Sequence, residues 1–239
     1  MSNTTGKQND CAWESLFQKY EVLSHIEKNG SFIVSATQMR AFREPRLMAK
    51  IDHKINLPQI FTDNNLAILP ISRGEYIIAH MEAYHPFQTL DRMITKASLP
   101  AHIQSLDASH ISSEAIAINC ALASGILADF LEDEDLIATV SGRMGSGEFA
   151  FGIQNTSSDA VNQITVANAQ VEIDAAFEGI HSLSIIEAKM DLAEDFLIRQ
   201  LYYPYRIWHS RISKPVHPIF FVYSNGIYHL YEYRFQNPT

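Results

Sequence analysis

The stretches Gln170-Val-Glu-Ile-Asp174-Ala-Ala-Phe177 and Ser182-Leu-Ser-Ile-Ile-Glu187-Ala-Lys189 each alternate or run apolar, as half-buried strands do. Between them Glu178-Gly179-Ile180-His181 supplies the glycine of a reversal, so two adjacent antiparallel strands are predicted. Glu187 and Lys189 stand two apart on the second, and both side chains therefore leave one face. If the first strand turns back directly, Asp174 falls opposite Glu187 and Glu172 opposite Lys189, with Cβ atoms ~5 Å apart. Three acids and a lysine then crowd one patch at the end of an apolar strand.

Neighbouring carboxylates repel unless a proton, a cationic side chain or a metal neutralises them. Asp174 and Glu187 offer hard oxygens suited to Mg²⁺, with Mn²⁺ as a substitute, and the Ala188 carbonyl is a third donor. A cation held there polarises a phosphodiester and lowers the pKa of its bound water. Lys189 is placed to orient that water and offset charge in the transition state. Glu172 is either a further ligand or the partner of Lys189.

Ile173-Asp174, twelve intervening residues and then Glu187-Ala188-Lys189 resemble the bipartite motif of the PD-(D/E)XK nuclease superfamily. Ile173 stands where that family often has proline. The resemblance runs from Glu114 to about Phe235 and is strongest to the type II restriction endonucleases. It implies a restriction-endonuclease-like core, a mixed central sheet flanked by helices, that hydrolyses double-stranded DNA with Mg²⁺. It also implies a homodimer and a cognate DNA methyltransferase in the same system. By the same resemblance Glu114, on the helix before the core sheet, helps complete the metal site, and Gln200 is the polar residue on the helix after it. In the recombination branch a glutamine is followed four places later by tyrosine; here that place is Pro204. The rival readings are a repair or recombination nuclease of the same superfamily and a non-catalytic DNA-binding regulator.

Around this centre the periodicity predicts a helix over residues 112–132, N-capped by Ser112 or Ser113, and short strands over 147–153 and 163–167. Helix follows over 192–210, then strands over 219–223 and 228–235 around the hairpin signal Asn225-Gly226. The order describes an α/β (α+β) sandwich with a mixed sheet. Ser141-Gly-Arg-Met-Gly-Ser-Gly147 reads as a glycine-rich turn, or as a phosphate contact through Arg143, without the GKS/T ending of a P-loop. Tyr202, Tyr203, Tyr205 and Trp208 suit base stacking or core packing.

Upstream, helices are predicted over 13–28, 36–42 and from 47 towards 51, with a strand over 31–35 and a hairpin of 66–71 with 76–79. These compose a module over residues 1–95, either winged-helix-like or extra structure packed against the core, joined through a connector at 100–109 to a nuclease core over 96–239. Arg40, Arg43, Arg46, Lys50, His53 and Lys54, opposed only by Glu44 and Asp52, form the densest basic stretch. Arg43, Arg46, Lys50 and Lys54, with Arg143, are the predicted DNA contacts; the alternative is a solvated helix face with locally paired charges.

The 18 Lys and Arg against 27 Asp and Glu give a net charge of -9, which counts against a protein that simply coats a polyanion and leaves open one with its cations gathered in a cleft. Cys11 and Cys120 form no framework, and ten histidines lie scattered without HxxxH or HxH spacing, so neither a disulfide scaffold nor a zinc site is indicated. The polar first ten residues and the lack of a long apolar run predict a cytoplasmic protein without a membrane span. The close of the chain follows its last strand so directly that a longer parent is conceivable.

Overall fold

Apolar residues spaced three and four apart line one side of the first helices in the computed structural model, which describes residues 3–88 and 94–236. Helix α1 (Asn3–Lys19) buries Trp13, Leu16 and Phe17, and α2 (Val22–Asn29) buries Val22 and Ile26. The spacing predicts one helix here. Glu21 instead adopts a left-handed conformation (φ 49°) and divides it, and the turn carries Val22, off the predicted stripe, into the core. Gly30 ends α2 at φ 80°, where a side chain would be strained.

Strand β1 (Ser31–Ser35) leads into α3 (Ala36–Arg40), whose start is fixed by a capping box between Ser35 and Gln38. Helix α4 (Pro45–Ala49) begins with proline, a 3-10 turn spans Lys54–Asn56, and α5 (Gln59–Asp63) precedes the hairpin of β2 (Ala67–Pro70) and β3 (Glu75–Ala79). The three strands pair antiparallel in the order β1-β3-β2. Val34, Ile68 and Ile78 meet Trp13 and Phe61, while Leu69, Ile77 and Ala79 join the core of the C-terminal region. Strands β2 and β3 are thus buried on both faces and tie the N-terminal helices to the rest of the chain, while Ile33 of β1 stays exposed.

Strand β4 (Tyr84–Pro86) comes next, and residues 94–113 form no helix or strand, in keeping with the predicted connector. The predicted helix over 112–132 is two: α6 (Glu114–Ala123), N-capped by Ser113, whose hydroxyl accepts from the Ile116 N–H, and α7 (Ile126–Leu131). Gly125, at φ 79°, makes the break. Then follow β5 (Ile137–Gly145), β6 (Glu148–Gln154), β7 (Val161–Ala167), β8 (Gln170–Glu178), β9 (Leu183–Lys189), β10 (Asp195–Leu197), α8 (Arg199–His209), β11 (Val216–Ser224) and β12 (Ile227–Glu232). The central sheet runs β12-β11-β9-β8-β5, parallel only between β9 and β11. Ala117, Ala121 and Leu127 cover one face against Phe177, Ile186 and Phe221, and Leu201 and Tyr203 of α8 pack on the other. The protein is a mixed α/β structure, and no described helix is long and apolar enough to cross a membrane.

Two further expectations need correction. Residues 141–145 of the glycine-rich stretch are not a turn but the last half of edge strand β5; two register shifts absorb its glycines, Gly142 among them at φ 90°. The helix predicted from 192 starts only at Arg199, because residues 195–197 pair with β4, a strand too short to be recognised by periodicity. Tyr202, Tyr203 and Tyr205 are buried and pack with Phe149, Phe151 and Phe235, which favours the core alternative for that cluster.

Candidate active site

The pairing of β8 with β9 runs from Glu178↔Leu183 to Ala175↔Ile186, the predicted register. Asp174 would come next, opposite Glu187. At that step the ladder stops: the Asp174 Oδ2 accepts the Ala188 N–H at 2.8 Å, in the place of a backbone carbonyl. The cause lies in β8 itself. Ile173 and Ala176 contribute to the same apolar cluster, whereas Ala175 and Phe177 pack on the opposite side, an arrangement a regular strand of period two cannot make. The register against β5 shifts over the same residues, from Val140↔Ala176 to Gly142↔Ile173. This irregularity re-aims Asp174 toward the end of β9.

Regular alternation then sets β9. Leu183 and Ile185 face the cluster that contains α8, and Glu187 follows them in phase. Its Oε1 accepts from Gln200 Nε2 at 2.7 Å and from Lys189 Nζ at 2.5 Å. Lys189 Nζ also donates to the Ala188 carbonyl at 3.0 Å. Glu172 is not its partner: it forms a cross-strand ion pair with Arg143 at 3.2 Å, because β5 and not β9 stands opposite it.

The carboxylates are held at an electrostatic disadvantage. The Glu187 side chain is 12% exposed, and burial, with Asp174 beside it, raises its pKa to about 7 against the pull of Lys189. Burial likewise raises Asp174, opposed by the Ala188 N–H and Lys189, and raises Glu114, opposed first by Lys189. For Lys189 burial works against the charge, but Glu187, Asp174 and Glu114 together outweigh it and its pKa rises. Three acids share one part-buried amine, with Arg199 acting on Glu187 and Lys50 on Glu114 from further off, and their raised pKa values show that these cations do not fully offset burial.

These groups line a cleft of about 840 Å³. Asp174, Glu187, Lys189, Glu114 and Gln200 all reach it, as do Arg46, Lys50 and Arg143. Arg43 and Lys54 do not: the Arg43 guanidinium donates to Asn9 Oδ1 at 2.6 Å, and the Lys54 backbone N–H donates to Asp195. The cleft also takes in Arg40, from the basic stretch, and Arg73 and Arg199, which the sequence pattern does not single out. Arg73 sits in the loop of the β2–β3 hairpin and Arg199 beside Gln200, and neither position carries a periodic signal. Seven basic side chains face the cleft against six acidic ones, in a chain of net charge -9. Among the described residues only Arg143 and Lys189 of these seven are in ion pairs.

Asp174 and Glu187, with the Ala188 carbonyl, form an all-oxygen donor set suited to a hard divalent cation. Among the described residues no group of three or more His, Cys, Asp and Glu side chains is placed to hold a metal ion. Such a cation would therefore keep several waters or substrate oxygens, as Mg²⁺ commonly does.

Comparison with known families gives two matches. Residues 10–78 match a domain of unknown function, DUF6996, and residues 79–239 match a second, DUF6997. The junction of the two falls inside β3. The second match covers well over half of the chain, which belongs to the DUF6997 family. No curated protein and no solved structure matches it.

Proposed function

We propose that this member of the DUF6997 family is a magnesium-dependent endonuclease of the restriction type, hydrolysing phosphodiesters in double-stranded DNA at a PD-(D/E)XK site. In this reading residues 96–239 are a restriction-endonuclease-like core and residues 1–95 a winged-helix-like module that helps to hold the duplex. One observation carries it. Asp174, Glu187, Lys189, Glu114 and Gln200 converge on a cleft that also takes in Arg40, Arg46, Lys50 and Arg73, which make no ion pairs among the described residues. Unpaired cations beside a carboxylate cluster suit a polyanion and the metal that accompanies it. The element order of the module, with the first strand paired to the last, supports the winged-helix-like reading.

Asp174, Glu187 and the Ala188 carbonyl would hold the Mg²⁺, or Mn²⁺ in its place, and the bound ion supplies a Lewis acid and a water of lowered pKa. Lys189, its pKa raised, stays protonated and donates from Nζ toward a phosphate oxygen or the attacking water. Gln200 is a positioning residue, holding Oε1 of Glu187 through Nε2. Glu114 adds a third carboxylate at the edge of the site. Cutting both strands would call on two copies of the chain.

Incubation with unmethylated plasmid and phage DNA, with and without Mg²⁺, tests the reading. Discrete fragments that need the metal support it. Smears or structure-selective nicks favour a repair or recombination nuclease, and retention without cleavage a regulator. Lys189→Ala should abolish cutting and leave DNA binding intact; full activity in that variant overturns the assignment.

A further inference from the structure

Arg199 opens α8, immediately before Gln200, and lines the cleft beside Tyr76 and Tyr203. Its guanidinium makes no hydrogen bond or ion pair among the described residues, and Nε is fully buried without a partner. A guanidinium has five donors and no acceptor. Leaving a buried charged donor without a partner destabilises the fold, so packing gives no reason for arginine here. The other unpaired cations of the cleft differ, because Arg40, Arg46, Lys50 and Arg73 are exposed and solvated. Glu187 lies close enough for Arg199 to favour its ionised form, yet its Oε1 already accepts from Lys189 and Gln200. No acidic side chain among the described residues forms an ion pair with Arg199, and its open side is the cleft.

We infer that Arg199 binds a phosphate of the DNA backbone, next to the one that is cut, through the planar fork of its guanidinium. The inference rests on the nuclease reading and adds a phosphate-binding residue to it. Arginine suits the role because two parallel N–H donors match two phosphate oxygens, and because its charge survives partial burial. Its place at the junction of β3 and α8 holds that phosphate against both halves of the molecule. Gln200, one residue on, orients Glu187, so strand position and carboxylate position are fixed by the same turn of helix.

The test measures binding of a labelled mixed-sequence duplex to the full chain across a sodium chloride series without Mg²⁺. Wild type, Arg199→Ala and Arg199→Gln are compared, with Mn²⁺ binding followed separately by thermal shift. Both variants should reduce the slope of log affinity against log salt by about one and still give a Mn²⁺-dependent thermal shift. Arg199→Gln, which keeps the bulk of the side chain, carries the test if the alanine variant fails to fold. A wild type that cuts DNA together with variants of unchanged slope overturns the inference and leaves the nuclease reading standing. A lowered melting temperature with unchanged slope assigns Arg199 to structure alone, and also overturns it. A wild type that neither binds nor cuts removes both.

Discussion

Two sets of side chains lining the cleft, a floor on β8 and β9 and a wall of Arg40, Arg46, Lys50 and Arg73, hold charge in opposite ways. On the floor Asp174, Glu187 and Lys189 are part buried, Asp174 accepts the Ala188 N–H and Glu187 accepts from Lys189, and burial raises both acids. On the wall Arg40, Arg46, Lys50 and Arg73 are exposed and make no ion pairs among the described residues. A solvated cation costs folding little, whereas crowded, desolvated carboxylates destabilise the chain until something neutralises them. The contrast separates chemistry from attraction: the floor would be set for a cation and a reacting phosphate, the wall for the length of a polyanion.

The largest effect should come from neutralising the floor. Glu187→Gln should lower cleavage about a thousandfold or more, since it removes the negative charge that would hold the metal and that pairs with Lys189. At about pH 8, metal-free Glu187→Gln should be no less stable than the wild type, because the group removed is one whose charge burial opposes. A clear fall in melting temperature would mean that the pair with Lys189 outweighs burial, and the contrast with the wall would fail.

A smaller effect belongs to pH. Glu187 titrates at about 7 in the fold against an ordinary value of 4.5, so between these values the folded chain binds more protons than the unfolded one. Stability without metal should therefore fall as pH rises from about 4.5 to about 7 and level off above, by ~3 kcal/mol at most at 1.36 kcal/mol per unit. Asp174 and Glu114, also raised, act in the same direction. Thermal melts across this range check it: Mn²⁺ should flatten the slope, and Glu187→Gln should remove most of it.

The smallest effect on stability should come from the wall. Arg46→Ala combined with Lys50→Ala should change unfolding free energy by less than about 0.5 kcal/mol per site, while reducing the salt slope of DNA binding by about two. Equal losses of stability and affinity would show that these residues serve the fold.

Much of this was legible in the chain. The turn between β8 and β9, their register and the shared face of Glu187 and Lys189 follow from period two and one glycine reversal. The apolar stripe of α1 and α2, the Ser113 cap and the Asn225-Gly226 hairpin were equally plain. What failed was local pattern set against distant contact. Residues 195–197 became a strand because Tyr84–Pro86 lies beside them, and residues 141–145 became a strand because β8 needed an edge. Glu172 turned to Arg143, since a strand has two neighbours and the hairpin pattern speaks for only one.

By itself the sequence determined which side chains share a face, because that depends on a repeat of two or 3.6 residues within a single element. Only the tertiary structure decided that β8 would lose its alternation beside Asp174, that Arg199 would stand without a partner among the described residues, and that Arg40, Arg46, Lys50 and Arg73 would line one cleft with the carboxylates of β8 and β9. Those outcomes depend on residues far apart in the chain competing for the same partners and the same space, and no local period records that competition.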